Sequence, residues 1–355
     1  MLSTFSFPTK IRFGAGAIEE LPRYATVRPL LVTDAGLIDT PLFQRVLALI
    51  PNAAVYSGVL PNPTEQNVFD GAAAYQANNC DGIIALGGGS PIDAAKAIRL
   101  KITHPLTLAE YDDLIGGDAY ITSNLPPFVA IPTTSGTGSE VSRSTVITLA
   151  ATKRKTVIFS PFLIPSIAIA DPELTLALPP RLTAGTGMDA LTHNIEAYLA
   201  KGYHPMCDAI ALAGAKLAWD NLPKVMADPQ DLEARSNMMM ASIMGAVAFQ
   251  KGLGAVHSLA HPLSSDCGMH HGTANAVLLP AVLEYNEPAA QSPYSANQIR
   301  ALNAQLNIAP RLRDYGVTEE ILKKLADKAI EDGCHQNNPR PCTREDLLGL
   351  YRTAY

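Results

Sequence analysis

The stretch CDGIIALGGGSPIDAAKAIRL, residues 80–100, most constrains what this chain can fold into. Its apolar run has no polar alternation, as in a strand buried on both faces. It runs into three glycines and then a helical pattern, with Pro91 suited to the first turn. PLLVTD (29–34), PFVAIPTT (127–134) and SIAIADP (166–172) are further strand candidates. Strands alternating with helices predict a doubly wound, mostly parallel, Rossmann-like sheet. After DPELTLALPP (171–180) the texture changes. Residues 183–200, 206–222, 231–249 and 318–333 are rich in Ala, Leu and Met at helical spacing. The expected organisation is an α/β domain over residues 1–180 and an all-α domain over 181–355, divided near Pro179 and Pro180. No internal repeat or low-complexity segment interrupts either half.

Two domains also suit 355 residues with 47% hydrophobic content. The net charge of −6, with no basic run beyond TKRK (152–155), argues against nucleic acid as a partner. The five cysteines (80, 207, 267, 334 and 342) form no CxxC pair and fit a reduced, cytoplasmic protein. The N-terminal residues lack a charged segment followed by an apolar one, and no apolar run is long enough to span a bilayer, so no membrane partner is expected.

Two glycine motifs compete for a nucleotide. FGAGAIEEL (13–21) has Gly14 and Gly16 but carries Glu19 where a dinucleotide fingerprint needs Gly or Ala, and reads as a turn. LGGGSPIDAAKAI (86–98) follows a strand and opens a helix, where free N–H groups and the macrodipole suit a phosphate. A tight strand-to-helix turn is the plainer alternative. IPTTSGTGSEVS (131–142) weighs against it, setting Thr133, Thr134, Ser135, Thr137 and Ser139 beside two glycines after another strand.

Half of the eight histidines lie in GLGAVHSLAHPLSSDCGMHHGTANA (252–276). His257 and His261 are four apart, as are Asp189 and His193 in GMDALTHNIEAY (187–198), so each pair shares a helix face. His270 and His271 follow. One carboxylate oxygen and up to three imidazoles suit Fe2+ or Zn2+. A single helix histidine is more often a packed or surface residue than a ligand, so spacing alone leaves the ligand set open.

KIRFGAG, LLVTDAG, PNPT, GGGSPIDAAKA, IPTTSGTGSEVS, ADPELTLALPP, TGMDALTHNIEAY, GLGAVHSLAHPL, HHGTANAVLLP and NPRPCTREDLLGLY run in order along nearly the whole chain. Through these blocks the chain resembles the iron-dependent (group III) alcohol dehydrogenases, which share the dehydroquinate synthase-like architecture. The resemblance implies metal ligands at Asp189, His193, His257 and His271, holding Fe2+, with Zn2+ also suited. His261 would sit near substrate and nicotinamide as a proton relay, and His270 beside the ligands or at the surface. NAD contacts would fall on Asp34, Asn62, Gly88, Gly89, Ser90, Thr133, Thr134, Thr137, Val146 and Lys155. Asp34, at a strand end, suits a ribose 2′-OH and repels a 2′-phosphate, favouring NAD over NADP. Its plainer reading is a cap on a turn. The implied activity is hydride transfer between a small primary alcohol, or its aldehyde, and NAD(H). A homo-oligomer with its site in a cleft between the domains is expected.

Two departures from the family pattern stand out. The chain is shorter than typical members between Asn286 and Leu312, and Lys251 stands where many carry a small or amide residue. A lysine there is either solvated or an anchor for an anion. The second reading allows reduction of a small anionic aldehyde: a semialdehyde acid, or a phosphono- or sulfo-aldehyde. A metal- and NAD-dependent lyase or cyclase of the dehydroquinate synthase type is a further alternative, disfavoured by the absence of a basic cluster for a phosphorylated substrate.

Overall fold

The computed structural model describes residues 4–7 and 9–355, which fall into two compact units. The α/β unit comprises Phe7–Thr134 and Gly138–Ala177. Its strands are β1 (Lys10–Phe13), β2 (Pro29–Asp34), β3 (Ala54–Val59), β4 (Gly82–Gly87), β5 (Phe128–Pro132), β6 (Ser144–Thr148), β7 (Lys155–Phe159) and β8 (Ile167–Ala170), with helices α1 (Pro41–Leu49), α2 (Glu65–Ala77) and α3 (Gly89–Thr103). Six strands form a parallel sheet in the order β1-β8-β5-β4-β2-β3. The four strand candidates are β2, β4, β5 and β8, while β1 and β3 have a weaker apolar signal and complete the edges.

Alternation of side chains across the pleat explains how these runs bury both faces. Leu30, Val32, Ile83, Ala85 and Ala130 pack on one face against Val68 of α2 and Ile92 and Ala95 of α3. Leu31, Ile84, Leu86, Val129 and Ile131 pack on the other against Phe43 and Val46 of α1. Each large aliphatic side chain so buried contributes about 1.5–3 kcal/mol. Successive connections leave β2 in opposite directions, to β3 on one side and β4 on the other. This reversal makes a topological switch point at the carboxyl ends of β2 and β4, the place where such sheets bind ligands.

The glycine turn is tighter than the sequence pattern predicts. Helix α3 begins at Gly89, two residues before Pro91, with Gly88 as its cap. Gly87 has φ 148°, and a Cβ there would lie 2.6 Å from Pro91 Cγ. Gly14 and Gly16, both at positive φ, form the turn after β1. An antiparallel β6–β7 hairpin was not expected, because its strands are short and only half apolar.

The helical unit comprises Leu178–Tyr355, Ser135–Thr137 and the described N-terminal residues up to Ser6. The expected single cut near residue 180 thus misses two short segments that pack by contact rather than chain order. Ser6 N–H donates to Gln250 Oε1, and the Thr4 carbonyl lies 3.1 Å from His204 Nε2. The helices are α4 (Pro180–Leu199), α5 (Pro205–Ala227), α6 (Leu232–Ala248), α7 (Ala255–Cys267), α8 (His271–Asn286), α9 (Ala296–Gln305), α10 (Leu322–Glu331) and α11 (Arg344–Ala354). Prolines in the first turns of α4 and α5 fit positions whose N–H groups need no helical acceptor. The shortened 286–312 region is not an open loop: it contains α9, closed by a Ser295–Gln298 capping box and anchored by Ile299 and Leu302. Among the described residues no single helix is long and apolar enough to cross a membrane.

Helices α4 and α8 approach until backbone meets backbone. A Cβ on Gly272 would lie 2.0 Å from the Gly185 carbonyl oxygen and 3.0 Å from Asp189 Cβ. Gly272→Ala is therefore expected to destabilise the protein by about 1–3 kcal/mol through overpacking. A denaturant midpoint that falls while the slope stays constant is the expected reading.

Candidate metal centre and cofactor site

Three helices bring the predicted ligands together. Asp189 and His193 lie one turn apart on α4, His257 on the first turn of α7, and His271 at the start of α8. The start of α7 is held by borrowed acceptors: Glu196 Oε1 accepts from Val256 N–H at 2.7 Å and Asn338 Oδ1 from Ala255 N–H at 3.2 Å. These replace the side-chain cap that Gly254 lacks.

The result is a convergence of electron pairs. Asp189 Oδ1 lies 3.8 Å from His193 Nε2, 3.9 Å from His257 Nε2 and 3.6 Å from His271 Nε2. Tetrahedral coordination at ordinary bond lengths places donors about 3.4 Å apart. The ligand atoms of Asp189, His257 and His271 all fall within 4.8 Å of one another, and His193 stacks on His257 with ring centroids 4.6 Å apart. Asp189, His193 and His257 are buried and His271 is half-buried.

The outer nitrogens set the tautomers. His257 Nδ1 sits 2.6 Å from Glu196 Oε2, and His193 Nδ1 3.3 Å from the Gly136 carbonyl. Both acceptors draw the proton to Nδ1 and leave Nε2 with a lone pair facing Asp189. Burial lowers the His193 pKa to about 4, so this imidazole is neutral at pH 7. Burial opposes the charged form of His257 too, but the hydrogen bond and charge of Glu196 outweigh it and raise the pKa above its ordinary value. Asn275, one turn beyond His271, aims its amide into the same point. Its Nδ2 donates to Asp189 Oδ1 at 2.7 Å and lies 3.3 Å from His271 Nε2 and 3.5 Å from His257 Nε2. Sequence reasoning missed Glu196 and Asn275, although each lies within a helical turn of a candidate ligand on the same face.

His261 stands one turn beyond His257. Its Nδ1 lies 2.7 Å from Asp332 Oδ2, and its ring stacks on His271 at 5.3 Å. Asp332 was not foreseen, because it approaches from the distant end of α10. Burial would raise its pKa, but His261 and the Ser258 and Cys334 donors hold it well below the carboxylate range. His270 caps α8, accepting from Thr273 N–H at 3.4 Å.

Lys251 matches neither reading made from the sequence. Its ammonium donates to Asp208 Oδ1 at 2.5 Å and to the Tyr198 carbonyl at 2.9 Å, with only 6% of the side chain exposed. It is a buried tie between helices, neither solvated nor free to anchor a substrate.

Every predicted cofactor position except Thr137 lies in the α/β unit, at or after a strand end or in the hairpin. Asp34 ends β2 and Gly88, Gly89 and Ser90 form the cap and first turn of α3. Thr133 and Thr134 follow β5, Val146 lies in β6, and Lys155 opens β7. Asn62 takes a left-handed φ of 58° in the loop after β3. Thr137 lies in the segment that groups with the helical unit. Asp34 Oδ1 accepts from Gly36 N–H at 2.9 Å, so one carboxylate oxygen caps its own turn. An unforeseen network fixes α3 against the hairpin. Asp93 accepts from Ser139 Oγ and Val146 N–H, and Lys96 donates to Ser139 Oγ and the Ser144 carbonyl. Burial pulls the Lys96 pKa down to about 8 against the pull of Asp93 and Glu140, and pushes Glu140 up to about 7.

Comparison with known proteins gives this geometry a context. The profile of the family described as iron-containing alcohol dehydrogenase matches residues 8–172, and that of its C-terminal part residues 183–355. The chain is 42% identical to 4-hydroxybutyrate dehydrogenase of Cupriavidus necator over 95% of this chain and 96% of that one. A crystal structure of 1,3-propanediol oxidoreductase superposes with a TM-score of 0.93 at 36% identity, covering 99% of this chain and 100% of the other. Sulfoacetaldehyde reductase from Bifidobacterium kashiwanohense, solved in complex with NAD+, superposes at 0.90 with 31% identity over 100% and 99%. With both halves matched along their length, the chain belongs to the iron-containing alcohol dehydrogenase family and is an NAD-linked oxidoreductase that interconverts alcohols and aldehydes.

Proposed function

We propose that Asp189, His193, His257 and His271 hold iron, that the β2 and β4 strand ends hold NAD, and that the substrate is a small primary alcohol or its aldehyde. The convergence of three Nε2 atoms on Asp189 Oδ1 carries this reading. One carboxylate and three imidazoles suit Fe2+ and accept Zn2+ as well. When bound, the metal ion polarises the substrate oxygen and NAD accepts the hydride.

The chain's own residues position and move the proton. Glu196 orients His257 and strengthens it as a donor of electrons. Asp332 fixes the His261 tautomer with the proton on Nδ1, leaving Nε2 as an acceptor. His261 is 19% exposed at its side chain, so it can take the hydroxyl proton and pass it to solvent. On the nucleotide side, Gly88, Gly89 and Ser90, at the start of α3, would offer backbone N–H groups to a pyrophosphate. Asp34 meets a ribose hydroxyl and disfavours a 2′-phosphate. Asn62, Thr133, Thr134, Thr137, Val146 and Lys155 complete the cofactor contacts. The five cysteines, none of them in a disulfide, support a cytoplasmic location, and the family reading favours a homo-oligomer.

A second reading, oxidation of a hydroxy acid or reduction of a small anionic aldehyde, is favoured by the 42% identity to 4-hydroxybutyrate dehydrogenase. It needs a cation other than Lys251, which Asp208 already engages. NADH absorbance measured on iron-reconstituted protein with unbranched alcohols, diols and 4-hydroxybutyrate tests both readings. A kcat/KM for 1,3-propanediol above that for 4-hydroxybutyrate supports the neutral substrate, and the reverse order replaces it with the anionic one. No NADH from any of them overturns the substrate assignment.

His257→Ala is expected to lose both turnover and bound iron with an unchanged circular dichroism spectrum; iron content equal to the parent's would count against the ligand set. Glu196→Gln should weaken metal affinity by about 10–100-fold, read by competition with a chelator. His261→Ala should keep the full iron content but slow turnover by about 10²–10⁴-fold. Parent-like turnover in that variant would remove the relay role.

A further inference from the structure

A second group of metal-ligating atoms lies beside the primary centre. One turn along α7 from His257, His261 shares a hydrogen bond with Asp332 Oδ2. The other Asp332 oxygen accepts from Ser258 Oγ at 2.7 Å and Cys334 N–H at 2.9 Å. One His261 nitrogen, one Asp332 oxygen and Cys334 Sγ all lie within 4.8 Å of one another. All three residues are half-buried, so the cluster is preorganised by its surroundings yet open to small solutes.

The chemistry of this group differs from that of the primary set. It contains sulfur, and its thiolate and carboxylate together neutralise a divalent ion, with a neutral imidazole as third ligand. We propose that His261, Asp332 and Cys334 form a second, inhibitory site for a thiophilic divalent cation such as Zn2+ or Cd2+. Binding replaces a proton without any redox change. Cys334 Sγ–H releases its proton to solvent, the His261 proton moves from Nδ1 to Nε2, and the freed Nδ1, Sγ and an Asp332 oxygen take the cation. Burial and the Asp332 charge keep the Cys334 thiol well above its ordinary range, so it stays protonated until a cation arrives. The inhibitory consequence rests on reading His261 as the proton relay; the site itself does not.

Cadmium titration of the iron-loaded enzyme tests the proposal. The primary set has no sulfur, so a sulfur-to-cadmium charge-transfer band reports the second set without reference to activity. The expected result is one equivalent bound with that band, iron retained, and turnover reduced by about a hundredfold. Cys334→Ser should bind no such equivalent, show no band and resist inhibition, whereas serine variants of Cys80, Cys207, Cys267 and Cys342 should keep the band. Absence of the band in the parent, or its persistence in Cys334→Ser, overturns the site. The band without loss of turnover keeps the site and overturns the relay role of His261. Loss of turnover that tracks loss of iron overturns inhibition through the second site.

Discussion

The helical unit is organised around a buried carboxylate that cannot stand alone. Asp189 presents an acceptor oxygen to three imidazole nitrogens, at least two of them, on His193 and His257, with acceptor lone pairs, and like dipoles in a dry interior repel. Such a cluster is stable only with a positive centre or donor at its focus. The surrounding architecture serves that requirement. Glu196 and the Gly136 carbonyl hold the outer nitrogens, and Asn275 directs its amide donors inward. Glu196 also accepts from the first turn of α7, so one side chain sets both where the helix begins and how its histidine is oriented.

The α/β unit meets a different constraint. A sheet buried on both faces has no polar side chains to spare within its strands, so binding groups collect where the strands end. Asp34, the Gly88–Ser90 turn and Thr133–Thr134 all occupy strand ends. The buried Asp93–Ser139–Lys96 network then locks α3 to the hairpin that carries Val146 and Lys155. Two of the candidate cofactor positions thereby lie on a hairpin held in place by polar contacts.

Legibility in the sequence followed the range of each interaction. Strands β2, β4, β5 and β8 were readable because complete burial leaves an unbroken apolar run, and the long helices because their period is local. Asp189 with His193 and His257 with His261 were readable as pairs through their shared helical spacing. Joining the pairs into a ligand set required the family resemblance, since periodicity carries no information about which helices meet. Asp332 approaches His261 across 71 positions of chain, so no spacing pattern announces it. Lys251 was misjudged for the same reason: Asp208 and Tyr198, its partners, lie far back in the sequence. The hairpin was lost to its brevity, and the early start of α3 to a glycine conformation that residue types only permit.

The close approach of Gly185 and Gly272 has a further consequence. Where two helices are spaced by side chains, rotamer changes can widen or narrow the gap. Here a carbonyl abuts a bare α-carbon, and no rotatable bond lies between them. The separation of Asp189 from His271 therefore inherits the stiffness of the main chain. Any change in that spacing must be made by the two helices themselves, because no side chain lies between them to absorb it.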